Sequence, residues 1–221
     1  MNMGKKRMAV LVGCNYPNTE NELYGCINDV HIMRKLLVEQ FGFEPNHMEI
    51  LTDEPESQVK PTGANIKRAL DRMVDHAEAG DVLFLHYSGH GTRIPSKHHL
   101  MREEEAIVPC DFNLITDVDF WQLVNRLPRE ASFTIISDSC HSGGLIDKEK
   151  EQIGPFSTPT TIATAHHHHS HGYGTKSKSI PYESILQHLA SLTNIVNFRH
   201  RDPPDCILWG RREHQVQDRS A

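Results

Sequence analysis

Two periodicities alternate along the first two thirds of the chain. Met8 to Cys14 is a short continuous apolar run rich in Val and Leu, the pattern of a strand covered on both faces, as parallel sheets require. A turn at Asn15 to Asn18 follows. From Asn28, a good N-cap, the positions Val30, Met33, Leu36, Leu37 and Gln40 trace a helical stripe that stops at Gly42, so one face of this helix should pack on the sheet. Met48 to Leu51 reads as a second strand. Thr62 and Gly63 open the clearest amphipathic helix, with Ile66, Ala69, Leu70, Met73, Val74 and Ala77 on one face and Gly80 at its end. Asp81 to His86 is a third buried strand, Ala106 to Val108 a brief fourth, Asp117 to Asn125 a helix, and the β-branched run Ser132 to Ser137 a fifth strand.

Strands alternating with helices over this length predict an α/β domain with a mostly parallel sheet. Beyond Gly154 the character changes. Pro155 to Lys178 is rich in Ser, Thr, Gly and His, with four consecutive histidines at 166 to 169, and reads as a flexible linker. Pro181 to Leu192 predicts one short helix carrying Ile185, Leu186, Leu189 and Leu192. From Asn194 onward no period is sustained. The expected division is therefore a domain over 1–154, a linker over 155–178, a short helical segment over 179–193 and an unstructured tail over 194–221.

Composition narrows the function. With 221 residues, 38% of them apolar, and a formal net charge of −6, the chain can bury an ordinary core and shows no basic stripe to neutralise a phosphate backbone, so nucleic acid is not expected as a partner. Apolar runs fall far short of the ~20 residues that span a bilayer, and the start of the chain is polar, so no membrane association and a cytoplasmic location are expected. Five cysteines (14, 26, 110, 140 and 206) form no CxxC pair and no even set. A reducing compartment suits them.

Two glycine-rich motifs follow strand ends, where open α/β sheets keep their ligands. They are His86-Tyr87-Ser88-Gly89-His90-Gly91 and Asp138-Ser139-Cys140-His141-Ser142-Gly143-Gly144. Glycine frees amide N–H groups and lets a substrate approach the backbone, while His and Cys supply a base and a soft nucleophile. A thiol is only slightly ionised at neutral pH, so an imidazole that takes its proton activates it. Of the neighbouring histidines, His86 is expected to turn into supporting hydrogen bonds and His141 to be a site neighbour. Cys14 and Cys110 read as core.

HYSGHGTR at 86–93 and SDSCHSGG at 137–144 together resemble a metacaspase, a caspase-like cysteine peptidase with Arg or Lys specificity. His90 and Cys140 stand 50 residues apart, about the separation known from caspases. The segments AVLVGCNYP, GCINDV, PTGANIKRAL, EAIVPCDFNLITDVDF and GGLIDKEKEQIG are similar to plant type II metacaspases, above all to their short, calcium-independent branch. The resemblance covers roughly residues 5 to 154, with a weaker match near 181 to 193. It implies a caspase-like, mostly parallel β-sheet flanked by helices. It makes Cys140 the nucleophile and His90 the general base and acid, with the N–H groups of Gly91 and Cys140 as oxyanion hole. It also implies an S1 pocket of Asp29 and Asp138 with Cys26 on its wall, hence protein or peptide substrates with a basic P1 residue. Autocleavage of a zymogen would fall at Lys178, with Lys176 as the neighbouring option.

A monomer without cofactor is expected. Asp111, Asp117 and Asp119 are ligands of the kind calcium takes, but calcium is not favoured for the short branch, and the histidine tract fixes no metal geometry. Some plant relatives act outside the cytosol, which leaves nucleus or apoplast as alternatives. In type II metacaspases a full p10-like domain follows the linker, whereas here only its first helix is recognisable. That departure raises an alternative: a truncated, weakly active product, lacking the C-terminal part of the sheet, that acts by binding or competition.

Overall fold

A computed structural model describes residues 5–95, 103–139 and 178–193. Its centre is a four-stranded, all-parallel sheet of β1 (Arg7–Gly13), β2 (Met48–Thr52), β3 (Val82–Ser88) and β7 (Ser132–Asp138), in the order β2-β1-β3-β7. Parallel neighbours need crossovers, and the helices α1 (Cys26–Phe41) and α2 (Gly63–Asp75) supply them on opposite faces. Val10, Val12, Leu83 and Leu85 turn toward α2, which buries Ile66, Leu70 and Val74 against them; Ala9, Leu11 and Phe84 turn toward Val30 and Leu37 of α1. This two-sided burial explains why β1 reads as an unbroken apolar run.

A second, antiparallel sheet of β4 (His90–Pro95), β5 (Glu103–Val108) and β6 (Ile115–Thr116) follows the end of β3 after Gly89 alone. The sequence showed β5 only in part and β4 not at all, because the glycine-rich motif and the charged Arg93 mask the strand pattern. Helix α3 (Asp117–Val124) leads to β7, and α4 (Tyr182–Thr193) packs Ile185 into the larger core.

Three local expectations need correction. Helix α1 begins at Cys26 with Gly25 as N-cap at φ 108, so Asn28 lies inside it; Gly42 ends it at φ 64, as the stripe predicted. Leu36, placed on the packed face from periodicity, is 41% exposed, while Cys26 is buried instead. Helix α2 starts on a Thr62 cap that accepts the Asn65 N–H, but it stops at Asp75, with Gly80 in the turn beyond at φ 88. The expected linker, apart from Lys178, lies outside the described residues, as do the tail and Cys140, His141 and Lys176. No described helix is long and apolar enough to cross a membrane.

Candidate active site

The sheet register brings three strand ends together: Gly13 pairs with Ser88, and Ser88 with Asp138. Ser88 and Asp138 of the two motifs and Asp29 of the GCINDV segment meet at this edge, and His90 follows Ser88 by two residues; residues 140–144 of the second motif lie outside the described residues.

His90 is buried at the start of β4. Its Nε2 lies 2.8 Å from the carbonyl oxygen of Asn21. A carbonyl only accepts, so Nε2 carries the proton and the lone pair of the neutral ring sits on Nδ1. Asn21 belongs to a loop closed by Leu23 N–H donating to Asn15 O at 2.7 Å, and the Asn15 side chain accepts the first amide of α1, that of Cys26, at 3.1 Å. The loop is anchored by Asp53, a buried carboxylate that accepts the N–H groups of Asn15 (3.0 Å) and Tyr16 (2.7 Å). Tyr16 stands against the His90 ring, with centroids 4.8 Å apart.

Beside it lies an acidic slot that already holds a cation. Lys178 Nζ donates to Asp138 Oδ2 at 2.6 Å, to Ser88 Oγ at 3.1 Å and to the Asp138 carbonyl at 3.3 Å. Asp29 Oδ2 is 3.8 Å away and accepts the Ser88 hydroxyl at 2.8 Å. The three ammonium donors are thus matched to three acceptors, with a second carboxylate behind the hydroxyl. The Gly91 N–H donates to the Lys178 carbonyl at 2.9 Å, and Ile180 N–H donates back to Gly91 O at 3.2 Å, so that Gly91 and Ser179 form a parallel bridge. The cationic side chain and the carbonyl of one residue are held at once.

The three described cysteines are poor nucleophiles. Burial pushes the Cys14 and Cys26 thiols up, and Cys110 is raised to about 12, also by burial first. Cys26 therefore stays a neutral thiol, since neither the neighbouring Ser88 nor Lys178 offsets its desolvation. His86 departs from expectation. Both its ring nitrogens are buried without a hydrogen-bond partner, although the charged Asp29, Asp138 and Lys178 are near enough to act on the ring. Burial lowers its pKa, only partly countered by Asp29 and Asp138.

Sequence reasoning missed Ser88, Tyr16, Tyr87 and the Asn21 carbonyl. Ser88 lies inside the first motif and could have been found as the last inward residue of β3; a backbone carbonyl carries no sequence signal. Of the aspartates considered for calcium, Asp111 accepts the Gly63 amide, Asp119 pairs with Lys67 at 2.8 Å and closes the capping box of α3, and Asp117 accepts the Val118 N–H. Among the described residues no three His, Cys, Asp or Glu side chains group so as to hold a metal ion.

Comparison with known proteins identifies the family. The family model described as "Metacaspase, peptidase C14 domain" matches residues 6–149. Metacaspase-9 of Arabidopsis thaliana is 64% identical over 197 residues, which are 87% of this chain and 60% of that protein. Metacaspase-4 of the same plant is 56% identical over 151 residues, 67% of this chain and 36% of that protein. The chain therefore spans between about a third and three fifths of these relatives. Among solved structures, protein GSU0716 from Geobacter sulfurreducens superposes with a TM-score of 0.52 at 25% identity, over 62% of this chain and 52% of that one. By its matched domain, its relatives and its caspase-like α/β fold, the chain belongs to the metacaspase family.

Proposed function

We propose that the chain is a cysteine endopeptidase that cleaves after Lys or Arg, made as a zymogen whose first substrate is its own Lys178–Ser179 bond. The observation that carries the reading is the double hold on Lys178: its ammonium on Asp138, Ser88 and Asp29, and its carbonyl on the Gly91 N–H. That is how a P1 residue must sit, with specificity decided by the side chain and the reacting carbonyl on a donor that will hold the oxyanion.

The chemistry runs from Cys140 and His90. His90 takes the thiol proton on Nδ1, and the imidazolium is stabilised by the Nε2–H bond to Asn21 O. The thiolate adds to the P1 carbonyl, and the oxygen gains charge against the Gly91 N–H. Collapse breaks the C–N bond while His90 returns its proton to the leaving amine. Water, deprotonated by the same ring, then hydrolyses the thioester. An amide donor aimed at such an oxygen is worth about 3 kcal/mol of barrier. The acidic slot favours a guanidinium or ammonium by charge-assisted hydrogen bonds and repels a carboxylate, so Asp at P1 is a poor substrate.

Fluorogenic peptides ending in Arg, Lys or Asp before the aminomethylcoumarin test this reading. Turnover is expected after Arg and Lys, none after Asp, and none with Cys140→Ala or His90→Ala. Turnover that survives Cys140→Ala, or a preference for Asp, overturns it.

A further inference from the structure

We infer that Tyr16 and Tyr87 are positioning residues for the base, a pair of buried hydroxyls that hold both the backbone N–H and the carbonyl of His90. The inference rests on His90 being the base.

The β4–β5 register pairs His90 with Val108. In an ordinary antiparallel ladder a residue so placed can give its N–H directly to the opposite carbonyl. Here the Tyr16 hydroxyl stands in between. The His90 N–H donates to Tyr16 Oη at 2.9 Å, and Tyr16 Oη donates to the Val108 carbonyl at 2.5 Å. Next to it, Tyr87 Oη lies 2.8 Å from the His90 carbonyl and 2.7 Å from that of Val108, so its one proton serves these two acceptors. The two hydroxyl oxygens are 3.1 Å apart. Both hydroxyls thus sit at the His90–Val108 pair, the first rung of the β4–β5 ladder.

Gly91, the next residue, faces the other way and makes its backbone bonds to Lys178 and Ile180. The hydroxyl pair thus fixes the start of β4, from which both the ring of His90 and the N–H of Gly91 project.

Three further observations agree. Both tyrosines are almost wholly buried (1% exposed), and burial pushes both phenols well above their usual pKa, so they remain neutral donors. Tyr16 sits at φ 51, a left-handed conformation uncommon outside glycine, imposed where the Asp53 carboxylate takes its N–H and that of Asn15. A Cβ on Gly89 would lie 2.5 Å from Tyr87 Oη and 2.9 Å from Tyr16 Oη, so the glycine before His90 makes room for the pair. Tyr16 alone touches the histidine twice, by its hydroxyl on the backbone and by its ring against the imidazole. Strain, burial and a reserved space for two hydroxyls converge on one residue.

Tyr16→Phe and Tyr87→Phe keep the rings and remove the oxygens. The first readout needs no turnover: the rate at which iodoacetamide alkylates Cys140, followed against pH by peptide mass, in wild type, the two variants and His90→Ala. Wild type should show a limb below the ordinary thiol range that His90→Ala removes. Each tyrosine variant should move that limb by at least half a pH unit toward the His90→Ala profile. It should also lower kcat on the Arg peptide at least tenfold with KM within twofold, and the double variant should be no worse than about the poorer single one, because the hydroxyls act as a unit. If both variants keep the wild-type profile while His90→Ala abolishes the limb, the tyrosine inference fails and the base assignment stands. If the limb survives in His90→Ala, the base assignment itself fails, and the inference with it.

Discussion

Replacing Lys178 by Met keeps the length of the side chain and removes its charge, which isolates what the acidic slot contributes. The ammonium has one short contact to a carboxylate, Asp138 Oδ2 at 2.6 Å, two longer neutral ones, and Asp29 at 3.8 Å. A well-made hydrogen bond to a charged group is worth about 1.5–3 kcal/mol. The Asp138 side chain is 59% exposed and that of Asp29 36%, while Lys178 is 23% exposed. Solvent screening therefore holds the direct pair to about 1–2 kcal/mol. With roughly 1 kcal/mol for the Ser88 and Asp29 contacts together, the loss is about 2–3 kcal/mol, or a cleavage rate roughly 30- to 150-fold lower. Lys178→Arg, which restores the charge, should stay within about fivefold of wild type. The assay is the rate at which purified chain converts to the fragment beginning at Ser179, followed by intact mass. Cleavage of the Met variant at that bond within threefold of wild type refutes the reasoning, as does an Arg variant no faster than Met.

Other substitutions probe the surroundings. Gly89→Ala drives a methyl group into the Tyr87 and Tyr16 hydroxyls at 2.5 and 2.9 Å and should destabilise the fold by about 2–3 kcal/mol, read by urea denaturation; a loss below about 0.5 kcal/mol would contradict the close approach. Asp53→Ala strands two loop amides and should cost about 2 kcal/mol while lowering turnover; unchanged stability would show that the loop does not depend on this carboxylate. His86 is held neutral by burial, so its folded pKa lies below the usual ~6.5 and the unfolded chain takes up the proton first. Stability should therefore be fully present above about pH 6.5 and decline as pH falls through that value toward the lowered one. His86→Phe should flatten this acid-side slope, measured by denaturation at several pH values, and an identical slope would refute the assignment.

The parallel core was legible because both of its faces are covered: β1 and β3 read as unbroken apolar runs, and α2 announces itself by its cap and stripe. Helix α1 was less so. Its exposed face carries Ile32, Leu36 and Phe41, which blur the stripe, and its cap is a left-handed glycine rather than a polar side chain. Strand β4 was hidden because its residues are chosen for the site and not for the sheet. The slot residues Asp29, Asp138 and Lys178 were named from resemblance, and the fold brings both carboxylates, from a helix and a strand far apart in the chain, within 4 Å of the Lys178 ammonium. Backbone partners such as Asn21 O, and the tyrosine hydroxyls, emerge only when loops are folded against one another, since nothing in a residue's type says where its carbonyl will point.

The most direct test of the account is covalent labelling with a peptidyl chloromethylketone that carries Arg next to the reactive carbon. Peptide mapping should find one adduct per chain, on Cys140, lost in Asp138→Asn combined with Asp29→Asn and not formed by the same reagent with Asp in place of Arg. Adducts on Cys14, Cys26, Cys110 or Cys206, or equal labelling by the Asp reagent, would contradict a thiol that acts beside a slot built for cations.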